Sequence, residues 1–198
     1  MSEQDVTEFR FTPENAEKAR AIIARYLQGK HKSAVMPLLE LAQRQNDGWL
    51  PRAAMDHVAA FLDMPEIKVY EVASFYTMYN KEPVGRHHVQ VCTNISCLLR
   101  GSDEVMAAAR EVTGLAPGET DEGRGFTLSE VECLGACANA PMMQVNDDYY
   151  EDLDGDSTRK VLDALKKGET PKAGSQTGRQ GSCPEGGPTT LTGGKGEA

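Results

Sequence analysis

"VCTNISCLLRG" (Val91–Gly101) and "ECLGACANAPMM" (Glu132–Met143) hold four of the chain's five cysteines. The first pair is spaced C-x4-C and the second C-x3-C. Ahead of Cys92, "HHVQV" alternates with period two and reads as a strand, and ahead of Cys133 "FTLSEVE" reads as another. Between them "SDEVMAAAREVTGL" (Ser102–Leu115) reads as a helix. Ser102 is its expected N-cap, Asp103 and Glu104 suit its first turn, Val105, Ala109 and Val112 face inward, and Gly114 stops it. A β-α-β order predicts parallel central strands. Two strand-end loops on one edge of such a sheet can bring all four sulfurs together.

Outward from this centre, "APGETDEGRG" reads as a polar loop. "MMQVN" and "YYEDL" read as a hairpin around Asn146–Asp148, and "STRKVLDALKKG" as a closing helix capped by Ser157. The small domain is therefore β-α-β-β-β-α, over residues 81–168. From Glu169 to the end (residues 169–198) Gly, Pro, Ser and Thr dominate. Such a segment buries too little apolar surface to offset its ordering entropy, so it is expected to be disordered or partner-bound.

Residues 1–80 read as four amphipathic helices forming a bundle. Thr12-Pro13 starts the first, with Ala16, Ala19, Ile23, Tyr26 and Leu27 in phase and Gly29 as its end. Ser33 is the expected cap of the second, with Val35, Leu38, Leu39 and Ala42 on one face. "NDGW" (Asn46–Trp49) signals a turn. Pro51 opens the third helix, aligning Ala54, Met55, Val58 and Leu62. Pro65 opens the fourth, aligning Val69, Val72, Ala73, Tyr76 and Tyr79. Trp49, Phe75, Tyr76 and Tyr79 are simplest as core, with some of them free to face a partner. The fold class is α/β with this bundle in front.

A net charge of −9 disfavours nucleic acid as a partner. No apolar stretch is long enough to cross a bilayer, so no membrane insertion is expected. "MSEQDVTEFR" lacks a secretory h-region and is too acidic for a transit peptide, which favours a bacterial cytoplasmic protein or a mature organellar one. In a reducing compartment, paired cysteines bind metal or do redox chemistry more often than they form structural disulfides.

Three chemistries suit the pairs. A structural zinc takes four thiolates, although its usual knuckles are C-x2-C. A thioredoxin-type disulfide uses C-x-x-C, and neither pair has it. A [2Fe–2S] rhomb takes two thiolates on each iron, a division that two separated pairs match. The plant-type spacing is not met, and His87 and His88 lie outside both loops, away from where Rieske ligands would stand. Small residues (Gly135 and Ala136 inside the second pair, Gly101 and Ser102 beyond the first) let backbone N–H groups approach an anionic cluster, and they serve equally as turn formers. Glu130 and Glu132 read as a solvated strand face or as charges that lower a cluster's potential. Met142 and Met143 read as packing beneath the second loop.

Both cysteine loops, with "GWLPRAAMDHVAAFLDMPEIKVYEVASFYTMY" (Gly48–Tyr79), resemble the thioredoxin-like [2Fe–2S] ferredoxin subunits of NADH:quinone oxidoreductase (respiratory complex I), called E in bacteria and 24 kDa in mitochondria. The resemblance spans roughly residues 10 to 168, and the tail "GRQGSCPEGGPTTLTGG" is similar to tails of longer members. It implies a helical bundle joined to a thioredoxin-like domain, with Cys92, Cys97, Cys133 and Cys137 ligating one [2Fe–2S] cluster. Docking is implied on the FMN- and NADH-binding subunit (the 51 kDa type, called F in bacteria), beside other peripheral-arm subunits on the cytoplasmic side of a bacterial inner membrane. The cluster would exchange single electrons with the flavin. No Ser/His/Asp or Cys/His arrangement and no Gly-rich dinucleotide loop stands in this chain, so no catalytic residue is assigned and NADH belongs to the partner. Members of the family also serve soluble NAD-linked hydrogenases and formate dehydrogenases. Cys183 has a family counterpart that is no ligand, and reads as a free thiol. A zinc-stabilised interaction module is the reading from another class.

Overall fold

The computed structural model describes residues 8–187 and 190. The chain divides into two compact units between Val84 and Gly85.

In the first unit the Thr12 hydroxyl accepts the Asn15 N–H at 3.2 Å and starts α1 (Pro13–Ile23). That helix stops earlier than the apolar spacing predicts, and Leu27 is 81% exposed. The second start also differs. Residues His31–Ala34 tighten into a 3-10 turn that feeds α2 (Val35–Gln45) directly. Ser33 lies inside that turn, so its backbone is not extended as a cap requires. Pro51 and Pro65, both with extended backbone, precede α3 (Arg52–Phe61) and α4 (Glu66–Phe75). Their missing N–H groups cost nothing at a helix start.

One core joins the four helices, with Leu38, Leu39, Leu50, Val58, Leu62 and Val69 all shielded from solvent. Tyr79 closes it, donating its hydroxyl to the Met36 carbonyl at 3.0 Å. Phe75 and Tyr76 do not join it: they are 77% and 40% exposed, at the end of α4 where the chain turns extended. The N-terminal segment packs its aromatic rings on α3. Phe9 and Phe11 meet His57 edge-on, and the Phe11 N–H donates to His57 Nε2 at 3.3 Å.

The second unit is a six-stranded mixed sheet. Its strands are β1 (His87–Cys92), β2 (Glu119–Thr120), β3 (Phe126–Val131), β4 (Met142–Val145), β5 (Asp148–Glu151) and β6 (Gly174–Ser175), in the order β2-β3-β1-β4-β5-β6. β1 and β3 are parallel, with Cys92 opposite Val131. β4 runs antiparallel to β1, and β5 antiparallel to β4. Strand alternation sorts the side chains into two sets. Val89, Val91, Met143, Val145 and Tyr150 share a core with Val105 and Ala109 of α6 (Ser102–Thr113) and with Val161, Leu162 and Leu165 of α7 (Gly155–Lys166). Cys92, Met142 and Tyr149 belong to a second, smaller cluster.

Four readings of this unit need correction. Gly101, with φ +101°, caps α6, and Ser102 is wholly buried. Asp154 caps α7 in a reciprocal box in which Ser157 is the third helical residue. The polar loop contains β2, which pairs with β3 because its backbone reaches the sheet edge. The tail is not disordered through the described residues. β6 pairs in parallel with β5, and Arg179 forms an ion pair with Asp152 at 2.7 Å, the aspartate side chain being 7% exposed. Composition hides this because the ordering comes from polar contacts and not from apolar burial. The tail beyond Gly187, apart from Thr190, lies outside the described residues. Among the described residues no helix is long and apolar enough to cross a membrane.

Candidate metal centre

Parallel β1 and β3 end on the same side of the sheet, so the loops that follow them emerge together. Cys92 is the last residue of β1, and Cys97 lies in α5 (Ile95–Leu99), a single turn of helix that the sequence reading did not separate from α6. Cys133 follows β3, and Cys137 opens a short 3-10 turn, Cys137–Asn139. The first pair is buried, each residue 2% exposed, in the small cluster with Ala140 and Met142. The second pair is exposed. All five cysteines are free.

The thiols associate by twos. Cys133 Sγ and Cys137 Sγ stand 3.3 Å apart, and the Cys92 and Cys97 thiols hydrogen-bond each other. The pairs also reach one another: Cys137 interacts electrostatically with Cys92 and Cys97, and the Ser96 hydroxyl hydrogen-bonds it. Among the described residues no three Cys, His, Asp or Glu side chains are grouped to hold one metal ion.

Electrostatics separates the four. Burial, then the Cys92 thiol beside it, pushes Cys97 up to about 12, offset in part by a backbone hydrogen bond from Met142. The Gly135 N–H holds Cys133 below the usual thiol value. Its neighbour Cys133 raises Cys137. Buried thiols of this kind lose their protons when a cation replaces them, so metal binding and deprotonation are coupled.

Both loops are tied down. Glu130 accepts the Thr93 hydroxyl at 2.7 Å and Glu132 accepts the Asn94 amide, so the two acidic residues bridge the loops instead of facing only water. The Tyr149 hydroxyl donates to the Leu134 carbonyl at 2.8 Å. Gly135 adopts φ +85°, and a Cβ there would meet nothing. His87 and His88 lie on β1 at the far end from Cys92, and His88 Nε2 pairs with Ser129 at 2.9 Å. Cys183 is half-buried in the tail. Sequence reasoning missed Asn139, Asp152 and Arg179, which converge behind the second loop. A lone arginine in a Gly- and Ser-rich stretch has no periodic signal to reveal it.

The family model described as thioredoxin-like [2Fe-2S] ferredoxin matches residues 19–166. The E subunit of the NADH-quinone oxidoreductase of Rickettsia conorii is 52% identical over 161 residues, 81% of this chain and 96% of the relative. NADH dehydrogenase [ubiquinone] flavoprotein 2, mitochondrial, of Dictyostelium discoideum is 49% identical over 185 residues, 93% of this chain and 75% of the relative. Among solved structures, an air-oxidized NAD+-reducing [NiFe]-hydrogenase chain aligns with a TM-score of 0.59 at 15% identity, over 68% of this chain and 23% of that one. This last likeness is one of fold.

Proposed function

The chain belongs to the thioredoxin-like [2Fe–2S] ferredoxin family, and from that premise we propose that it is the electron-transfer subunit of an NADH:quinone oxidoreductase. Cys92, Cys97, Cys133 and Cys137 would hold the cluster. The observation that carries the assignment is the division of four thiols into two associated pairs on loops leaving the same sheet edge. The donor set fits the group: a rhomb takes two thiolates at each iron, whereas one zinc needs all its ligands at a single point. When bound, a [2Fe–2S] cluster takes up and gives back one electron at a time. The residues of this chain bury one pair, leave the other at the surface, and aim backbone N–H groups of Gly135 and Met142 at sulfur. Such donors favour added negative charge.

The partner in this reading is the FMN- and NADH-binding subunit, within a peripheral arm on the cytoplasmic face of a bacterial inner membrane. Relatives of about half identity are named as subunits of NADH-oxidising complexes. The hydrogenase likeness concerns fold, so it does not favour a soluble assembly.

Anaerobically purified protein should contain two irons and two acid-labile sulfides per chain and show a [2Fe–2S] EPR signal after reduction. A colourless, zinc-loaded protein overturns the proposal. Cys137→Ala should lose the visible spectrum, because one iron lacks a thiolate, whereas Cys183→Ala should keep it. The reverse pattern would move the ligand assignment to the tail.

A further inference from the structure

The segment Gly174–Glu185 meets the second cysteine loop from behind. Asn139, the last residue of the 3-10 turn that Cys137 opens, is 1% exposed. Its side-chain oxygen accepts the Ser182 N–H at 2.8 Å. Its side-chain amide donates to Asp152 at 2.9 Å and to the Gln180 carbonyl at 3.2 Å. Two of these three partners come from the tail. Asp152 in turn accepts Arg179 Nε at 2.9 Å and the Ser175 hydroxyl at 2.6 Å. From that anchored position Arg179 donates a second nitrogen to the Ala138 carbonyl, the residue after Cys137, and a third to the Cys183 carbonyl at 2.6 Å. The strap crosses to the first loop as well: Glu185 pairs with Arg100 at 3.1 Å.

This is a complete polar network around a shielded asparagine and a nearly buried carboxylate. Removing a partner leaves buried groups unsatisfied, so the network holds one arrangement or none. A guanidinium suits the junction because its planar fork serves three acceptors at once, which an ammonium on a flexible stem does not.

We propose that Gly174–Glu185 is a strap, and that Arg179 is the positioning residue that latches the Cys133–Asn139 loop in the shape that presents Cys133 and Cys137. The inference rests on the cluster assignment above. Loss of a partner that orients a metal ligand typically weakens metal retention by about tenfold or more.

The test uses the full chain with its cluster. Iron release to a chelator is followed by bleaching of the visible band, alongside the EPR spectrum of the reduced protein. Arg179→Gln should release iron about tenfold faster and alter the g-values. Arg179→Lys keeps the charge without the planar fork, so it should fall between Arg179→Gln and wild type in both release rate and g-value shift, restoring neither fully. In the unmutated protein the Ser182 amide should be protected from hydrogen exchange. Wild-type release rate and spectrum in Arg179→Gln overturn the strap, as does an unprotected Ser182 amide. A wild-type chain that binds no iron–sulfur cluster instead overturns the functional reading, and the amide measurement still decides whether the strap is seated.

Discussion

Two glycines show how single positions divide by what surrounds them. A Cβ on Gly85 would stand 2.6 Å from the backbone carbon of Phe126, the first residue of β3. Its N–H also donates to the Thr127 hydroxyl at 2.7 Å, fixing the chain at the start of the parallel pair. Backbone cannot yield as a side-chain tip can, so Gly85→Ala should destabilise the protein by about 1–3 kcal/mol. At buried Gly155 the obstacles are side-chain atoms alone, the Glu104 carboxylate oxygen at 2.8 Å, an Arg159 guanidinium nitrogen at 3.0 Å and Glu104 Cγ at 3.1 Å, all on flexible chains. Gly155→Ala should therefore cost less than Gly85→Ala, about 1 kcal/mol or less. Equal effects in urea unfolding of the two variants would contradict this distinction. Neither outcome is legible in the sequence, where both glycines look like ordinary turn formers. The cysteines differ: their type and spacing announce chemistry, while burial of Cys92 and Cys97 against exposure of Cys133 and Cys137 needs the sheet to be built.

At the scale of elements, the four longer strands and most helix bodies follow from periodicity, and the errors gather at helix starts and at the two-residue edge strands β2 and β6. Ser33, Ser102 and Ser157 all look like caps, yet their roles pass to a 3-10 turn, to Gly101 and to Asp154. A cap is defined by the backbone angle of one residue, which local composition does not dictate. The N-terminal segment depends on a contact of the same kind. His57 Nε2 accepts the Phe11 N–H, so the ring must be unprotonated at that atom. Burial, and next Arg10, hold its pKa below the ordinary 6.5. His57 binds a proton more readily once the chain unfolds or the segment detaches, so the stabilisation is present above pH 6.5 and is lost as pH falls through the folded value. The Phe11 amide should therefore lose hydrogen-exchange protection on acidification from about pH 7.5 to about pH 5.5, and His57→Gln should remove most of that dependence. An unchanged pH dependence in the variant would place its origin elsewhere.

For the whole molecule the same sign recurs. Burial keeps His88 below 6.5. Burial tends to raise Asp152, but hydrogen bonds from Arg179, Ser175 and Asn139 outweigh it and hold the carboxyl below 3.8. Both groups have depressed folded values, so each contribution is complete above the unfolded pKa and disappears as pH falls through the folded one. The thermal midpoint should decline in two stages, first below about pH 6.5 and again below about pH 4. Asp152→Asn should shrink the second stage, which Asp154 shares because hydrogen bonds from Ser157 hold its carboxyl below 3.8 as well, and a chain whose midpoint is flat across that window would contradict the assignment. The sequence by itself determined the kind and order of the four longer strands and most of the helices, the parallel pairing of the strands before each cysteine loop, and the candidate ligands, because apolar period and cysteine spacing are written locally; the short β2, α5 and β6 escaped it. Only the tertiary structure decided that Phe75 and Tyr76 face solvent and that a Gly-rich tail is seated by Arg179 on Asp152 behind the second loop. The seating of the tail depends on partners more than 20 residues away, Asp152 for both Ser175 and Arg179, and no local pattern encodes a contact whose two halves meet only when the chain has folded.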